Sequence, residues 1–186
     1  MLKLKPPTFL TTAIVCCVVA LAQPLPLKGQ ATEFSSVYTD LKSDCKAAQK
    51  SVGEGQDMPL RCKGFGGYEI FIDYSAMSAH LRIQSADGET AVSLPPQPLS
   101  YYDNRKLEWR LEQGKPFAVI VRLDRYKDDG GNIDVDTYSK QNKTGEYLLV
   151  VGLKSAAYIN ETIDVKTPNA NAAARELADK RFLSGK

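Results

Sequence analysis

From Tyr68 the chain alternates with a period of two: Tyr68, Ile70, Ile72 and Tyr74 fall on one side, Glu69, Phe71 and Asp73 on the other. That is the pattern of a strand with one buried face. Residues 75–78 connect it to a second alternation, with Ala79, Leu81 and Ile83 against His80, Arg82 and Gln84. Asp87 and Gly88 then supply a two-residue turn of the primed type, because both residue types tolerate positive φ. Pairing outward from that turn sets Ile83 opposite Val92 and Leu81 opposite Leu94. The three strands then share an apolar face, and turn chemistry agrees with alternation. A chain built this way is committed to an antiparallel sheet.

The remainder extends the same architecture. Pro95, Pro96 and Pro98 end the third strand, since proline cannot donate to a ladder, and open a loop holding Tyr101 and Tyr102. Leu107, Trp109 and Leu111 restart the alternation, while residues 117–121 and 147–153 are continuous apolar runs, as in strands buried on both faces. Residues 157–165 alternate again and make a seventh strand. The polar loop between Tyr126 and Glu146, about twenty residues, is long for a compact domain, and part of it is expected to extend the flanking strands as a hairpin. At the front, Val37, Leu41, Cys45 and Ala48 are spaced four, four and three apart, which predicts a helix over residues 36–50; residues 51–59 read as a loop. At the end, Thr167 reads as an N-cap and Pro168 as the first helical residue, with Ala170, Ala173, Ala174, Leu177, Ala178 and Phe182 on one stripe. The expected fold is mainly β: an antiparallel sandwich or open barrel of about seven strands with N-terminal and C-terminal helices. No helical crossovers join the strands, so parallel βαβ order is excluded.

The N-terminus carries Lys3 and Lys5, an apolar run over residues 9–22, and Ala20, Leu21 and Ala22 before Gln23. This is the layout of a signal peptide over residues 1–22. The run is shorter than the roughly 20 apolar residues of a membrane span, and Pro24 and Pro26 follow it. A retained anchor is the competing reading, and a second possible cut follows Ala31. Residues 23–35 are expected to be a flexible segment and 36–186 a single β-rich domain, periplasmic or secreted. Cleavage removes Cys16 and Cys17 and leaves Cys45 and Cys62, which should pair in an oxidising compartment. Their bridge stabilises by about 3 kcal/mol in the chain-entropy model. Two cysteines and the single histidine, His80, do not supply the four ligands of a structural zinc. Losing Lys3 and Lys5 takes the 24 Lys and Arg to 22, equal to the 22 Asp and Glu. A near-neutral exported chain without a clustered basic excess is not a nucleic-acid binder, and no cofactor is called for.

Candidate chemistry is sparse. His80 falls opposite Asp73 across the first hairpin, and a carboxylate beside an imidazole is half of a catalytic triad. The nearest hydroxyl in sequence is Ser78, without a glycine-flanked elbow to expose it, so a cross-strand polar pair is the plainer description. The glycines of KGFGGY, residues 63–68, precede a strand rather than follow one, which points to a sharp turn and not a phosphate loop. Asp128, Asp129, Asp134 and Asp136, with Asn132, concentrate the oxygen ligands calcium takes; their spacing is not that of an EF-hand, and a solvated hairpin tip is the plainer description. Glu108, Arg110 and Glu112 on one strand and Arg122 and Asp124 on the next are expected to form a charged face beside Tyr101 and Tyr102. Tyr101, Tyr102, Arg110 and Arg122 are the predicted binding residues, because aromatics next to arginine are enriched at interfaces. Nothing marks Glu108 and Glu112 as a sugar-cleaving pair.

The segments VYTDLKSDC, RCKGFGGYEIFI, KLEWRL, KPFAVIVRL and TPNANAAARELAD resemble those of a group of small exported proteins of Gram-negative bacteria whose function is uncharacterised. The resemblance covers most of the chain beyond the signal and implies a secreted domain with a disulfide. It carries no activity with it. Members of the group have a further cysteine pair toward the C-terminal half, where this chain has Tyr158 and Ile159 at one place and Phe182 at the other. The expected function is a non-catalytic domain that binds an envelope protein or a small ligand. The alternatives are a hydrolase using Asp73 and His80 or a carboxylate pair, and a calcium-dependent structural module.

Overall fold

The computed structural model describes residues 33–47, 59–127 and 136–185, all within the compact unit Thr32–Lys186. The expected signal peptide, most of the flexible segment, and Asp128, Asp129 and Asp134 lie outside the described residues. In chain order the strands are β1 (Phe34–Asp40), β2 (Cys45–Ala47), β3 (Leu60–Cys62), β4 (Tyr68–Tyr74), β5 (Ser78–Ser85), β6 (Thr90–Ser93), β7 (Gln97–Pro98), β8 (Lys106–Glu112), β9 (Lys115–Tyr126), β10 (Lys143–Gly152) and β11 (Asn160–Asp164). One helix, α1 (Ala170–Ser184), follows them. The protein is therefore mainly β, and among the described residues β1, β2, β3 and β7 stand beside the seven strands read from the sequence.

Two antiparallel sheets divide the strands: β2-β3-β4-β5-β6 with β7 attached to β5, and β1-β8-β9-β10-β11. In the first sheet the alternation holds, with Ile72 opposite Leu81, Asp73 opposite His80 and Ile83 opposite Val92. The turn that sets this register is not the one expected. The Gly88 amide donates to the Ser85 carbonyl at 2.8 Å, the Ser85 amide donates to the Glu89 carbonyl at 3.0 Å, and only Gly88 has positive φ, at 84°. This is a three-residue loop ending in a left-handed glycine. It shifts the pairing by one, to Gln84 opposite Thr90, and a bulge between Ile83 and Gln84 shifts it back. The Leu94 amide then donates to the Leu81 carbonyl at 2.9 Å, so the apolar face survives.

The N-terminal helix is replaced by strands. Residues 34–40 form β1 on the edge of β8, with Val37 opposite Trp109 and Thr39 opposite Leu107. Thr39 and Leu41 are buried while Tyr38 is exposed, a period of two. Spacing of four fits a strand face as well as a helix face; the β-branched and aromatic residues of this segment and the free edge of β8 decide for the strand. Cys45 and Cys62 pair opposite one another across β2 and β3 and form the expected disulfide. The KGFGGY segment is a turn, with Gly66 at φ 60° and Gly67 at φ 86°. A Cβ at Gly66 would stand 2.6 Å from the Pro116 ring, so glycine is required twice over.

Two apolar clusters explain the continuous runs. Val119, Val121 and Leu123 of β9 and Leu149 of β10 join Ile70, Ile72, Leu81 and Ile83 in a core between the sheets. Ala118 and Ile120 of β9, with Leu148 and Val150 of β10, face the other way, against Ala170, Ala174, Ala178 and Phe182 of α1. The helix begins later than Thr167 predicts. Asn169 caps it at φ 55°, and the Ala170 amide donates to the Thr167 carbonyl at 3.1 Å, so Pro168 lies in the preceding turn. Asn is the side chain that best tolerates that left-handed position. No helix among the described residues is long and apolar enough to cross a membrane.

Candidate functional site

Because Leu107, Trp109 and Leu111 point into the core between the sheets, Lys106, Glu108 and Arg110 emerge on the opposite face, beneath α1. Arg110 is closed off there. Its Nε and Nη2 reach the two oxygens of Asp179 on the helix at 2.7 and 2.6 Å, and its Nη1 donates to Ser36 Oγ at 2.9 Å. Ser36 Oγ donates in turn to Glu108 Oε1. Arg175 of α1 closes the chain with Nε 2.6 Å from Glu108 Oε1 and Nη2 3.2 Å from Oε2. Two charge-assisted forks, linked through a serine, thus fasten the helix to the sheet. The Glu108 hydrogen bond raises the Arg175 pKa further above its usual value.

Beyond this clasp, toward the start of α1, the sheet face opens into a cleft of about 340 Å³ lined by residues of β1, β8, β9, β10 and the first turns of the helix. That is the small end of the range for ligand sites. Ile120 and Leu148 form its floor, Tyr38 and Asn171 two sides, and Arg105, Lys106, Arg122 and Arg175 its rim. Arg175 is engaged with Glu108. Among the described residues the other three keep most of their donors. Arg122 makes one hydrogen bond there, Nη1 to Glu146 Oε2 at 3.3 Å. Arg105 lies over the Tyr101 ring, 4.3 Å from its centroid, and comes no closer than 3.7 Å to Asp124 Oδ1. Lys106 Nζ is 3.9 Å from Asp40 Oδ2, too far for a hydrogen bond. The side chains of Arg105, Lys106 and Arg122 are 30%, 67% and 39% exposed, whereas Glu108 and Asp124 are 9% and 8% exposed. The cations are thus the more exposed groups, and the carboxylates near them are buried. Glu146 titrates below the usual carboxylate range because Lys143, and secondarily Arg122, hydrogen-bond its charged form.

Of the predicted binding residues, Arg122 reaches this cleft, together with Glu108. Arg110 does not, being held under the helix. Tyr101 and Tyr102 are buried in the core between the sheets, so they are not contact residues; burial raises both phenols above their usual pKa. Tyr101 still serves the site indirectly, as the platform under Arg105. Tyr38, Arg105, Lys106 and Arg175 were not legible as members. Tyr38 was assigned to a helix that is a strand, and Arg175 comes from the far end of the chain, its only signal being a place beside the alanine stripe one turn before Asp179.

The pair Asp73 and His80 is adjacent in register, but both Asp73 oxygens are taken by Arg82, through Nε and, at 3.0 Å, Nη2. His80 Nε2 instead lies 3.0 Å from Ser78 Oγ. Ser78 is 1% exposed, and its hydroxyl also contacts Ser75 Oγ at 2.8 Å. Among the described residues no carboxylate is given a hydrogen bond to the ring, and the serine is closed off from a substrate. Asp136 opens a turn in which its carbonyl accepts from the Ser139 amide and from Asn142 Nδ2 at 2.9 and 2.8 Å. Among the described residues no group of three or more His, Cys, Asp and Glu is placed to hold a metal ion. No family model, curated protein or solved structure matches this chain.

Proposed function

We propose that this is an exported, non-catalytic binding domain, periplasmic or secreted, in which a two-sheet sandwich backed by a helix presents a ligand site in the cleft at the start of α1. The observation that carries the reading is the cleft itself, lined by Arg105, Lys106 and Arg122, which among the described residues are only partly engaged: Arg122 makes one hydrogen bond to Glu146, and Arg105 and Lys106 stand 3.7 and 3.9 Å from Asp124 and Asp40. By contrast, the half-buried Arg82 is satisfied by a carboxylate fork on Asp73 and the buried Arg110 by one on Asp179. Export rests on the charged, apolar and small-residue succession of residues 1–22, and the Cys45–Cys62 bridge suits an oxidising compartment.

Export is tested by the intact mass of the protein recovered outside the cytoplasm, which should correspond to a chain beginning at Gln23; an unprocessed cytoplasmic chain would count against it. The site is tested by amide-resonance mapping of a fragment collection on the purified protein. Shifts should gather at Arg105, Lys106, Arg122 and Asn171, and Asn171→Trp, which fills the mouth of the cleft from an exposed position, should abolish them. Turnover in a hydrolase panel that disappears with Ser78→Ala or His80→Ala would overturn the non-catalytic reading.

A further inference from the structure

Taking the cleft as the binding site, we infer that its ligand is a small amphipathic anion, with a carboxylate or phosphate head held by Arg105, Lys106 and Arg122 and a short apolar part laid over Ile120 and Leu148. The inference rests on the proposed function and adds the chemistry of the ligand to it.

The balance of donors and acceptors selects the charge. The rim offers guanidinium and ammonium N–H groups, while the one carboxylate in the lining, Glu108, has its oxygens engaged by Arg175 and Ser36. A cationic ligand would meet like charge and find no free carboxylate, whereas a carboxylate or phosphate meets planar forks suited to it. The cations are also held in place before any ligand arrives. Arg105 is stacked on Tyr101, itself fixed by its hydroxyl donating to the Arg122 carbonyl at 2.9 Å, and Arg175 is clamped to Glu108. Such preorganisation reduces the ordering cost of binding.

The floor selects the rest of the molecule. Ile120 and Leu148 are 4% and 3% exposed, so they show only their edges, and the flanking Tyr38 ring, 51% exposed, adds apolar surface at one side. An inorganic ion would leave this surface wet, and a long chain would outrun it. A body of a few carbons fits both limits, as does the volume of about 340 Å³.

The test is calorimetric titration of the purified full chain with pentanoate, pentyl phosphate, inorganic phosphate and pentylammonium. Pentanoate or pentyl phosphate should bind, more weakly as salt is raised, and the tighter of the two names the head group. Lys106→Ala, at an exposed position that does not threaten folding, and Arg122→Gln should each weaken binding about tenfold or more, the scale of a lost charged hydrogen bond. Binding of inorganic phosphate as tightly as pentyl phosphate would overturn the apolar part. Anion binding unchanged in both variants would overturn the assignment to these side chains. Pentylammonium binding that Asn171→Trp blocks would overturn the ligand class while the cleft stands as a site. Failure of every probe, of either charge, to shift the cleft resonances would overturn the inference and the proposed site together.

Discussion

Tyr101 and Tyr102 adjoin in sequence and are both buried, but their hydroxyls are treated differently. Tyr101 Oη donates to the Arg122 carbonyl at 2.9 Å and reaches Asp124 Oδ1 at 3.3 Å. Tyr102 Oη is buried with no hydrogen-bond partner among the described residues. A buried hydroxyl that has lost water and gained nothing costs roughly 1–3 kcal/mol, while a typical satisfied one contributes about 1 kcal/mol. Tyr101→Phe should therefore destabilise by about 1 kcal/mol, and Tyr102→Phe should be neutral or stabilising by a similar amount. Urea unfolding reads both as shifts of the midpoint in opposite directions at unchanged slope. Loss of stability in Tyr102→Phe would show that the hydroxyl has a partner. At this scale the sequence said only that two aromatics adjoin an arginine-bearing strand. Burial reversed their expected role, because an aromatic suited to an interface is equally suited to a core.

The helix α1 is the element on which the site depends. Its buried residues are small, Ala170, Ala174 and Ala178, and its large apolar contact is at its last turns, where the partly buried Phe182 ring lies 4.2 Å, centroid to centroid, from that of Phe117. The forks from Arg110 to Asp179 and from Arg175 to Glu108 supply what the alanines do not. The Arg110 and Asp179 side chains are only 10% and 19% exposed, and removing one partner of such a pair leaves the other charge buried and uncompensated. Arg110→Ala should cost about 3 kcal/mol, with the amides of α1 losing hydrogen-exchange protection before those of β9 and β10. Adding Asp179→Asn should recover part of that loss, since the orphaned charge is then gone. Equal protection of helix and strands in Arg110→Ala would show that the apolar contacts alone hold α1. The stripe of alanines made this helix legible, whereas its polar fastening needed the strand partner. Elsewhere at this scale, the β5–β6 register was legible although the turn was not, because a bulge near Ile83 cancels the extra loop residue. The residues 36–50 segment failed for the converse reason: its spacing of four is shared by both periodicities, and its β-branched and aromatic residues settle as a strand once the edge of β8 is there to pair with.

At the scale of the molecule, the chain starts in one sheet, builds the other, and returns to the first, with β1 pairing β8. This order encloses many phenols. Tyr68, Tyr74, Tyr101, Tyr102, Tyr126, Tyr138 and Tyr147 all titrate above their usual range, with burial the leading cause in each, and Tyr126 is pushed up to about 12. A buried phenol is disfavoured in its charged form, so the folded state holds these protons longer than the unfolded chain, whose phenols titrate near pH 10. Their contribution is intact below about pH 10 and is lost as pH rises through the folded values. Stability against urea should thus fall from about pH 10 upward, and the ring resonances of these seven tyrosines should report phenolate only together with loss of structure. Phenolate forming near pH 10 at these seven positions in a chain that stays folded would contradict the burial; Tyr38 and Tyr158, about half exposed, do not enter the test.

What depends on residues close along the chain was legible before any packing: the alternating strands and the presence of a terminal helix, with the cysteine pairing following from there being two candidates. Period and composition are local quantities, and they survive whatever the elements later pack against. The tertiary structure alone decided which face each alternation meets. It placed Tyr101 and Tyr102 inside, gave Asp73 to Arg82 instead of His80, and closed Arg110 beneath α1. It also brought Arg175 against Tyr38 across 137 residues of chain. A strand pattern shows that two faces differ, but the partner that covers each face is set by the packing of distant elements, and the cleft lies where α1 leaves one of those faces uncovered.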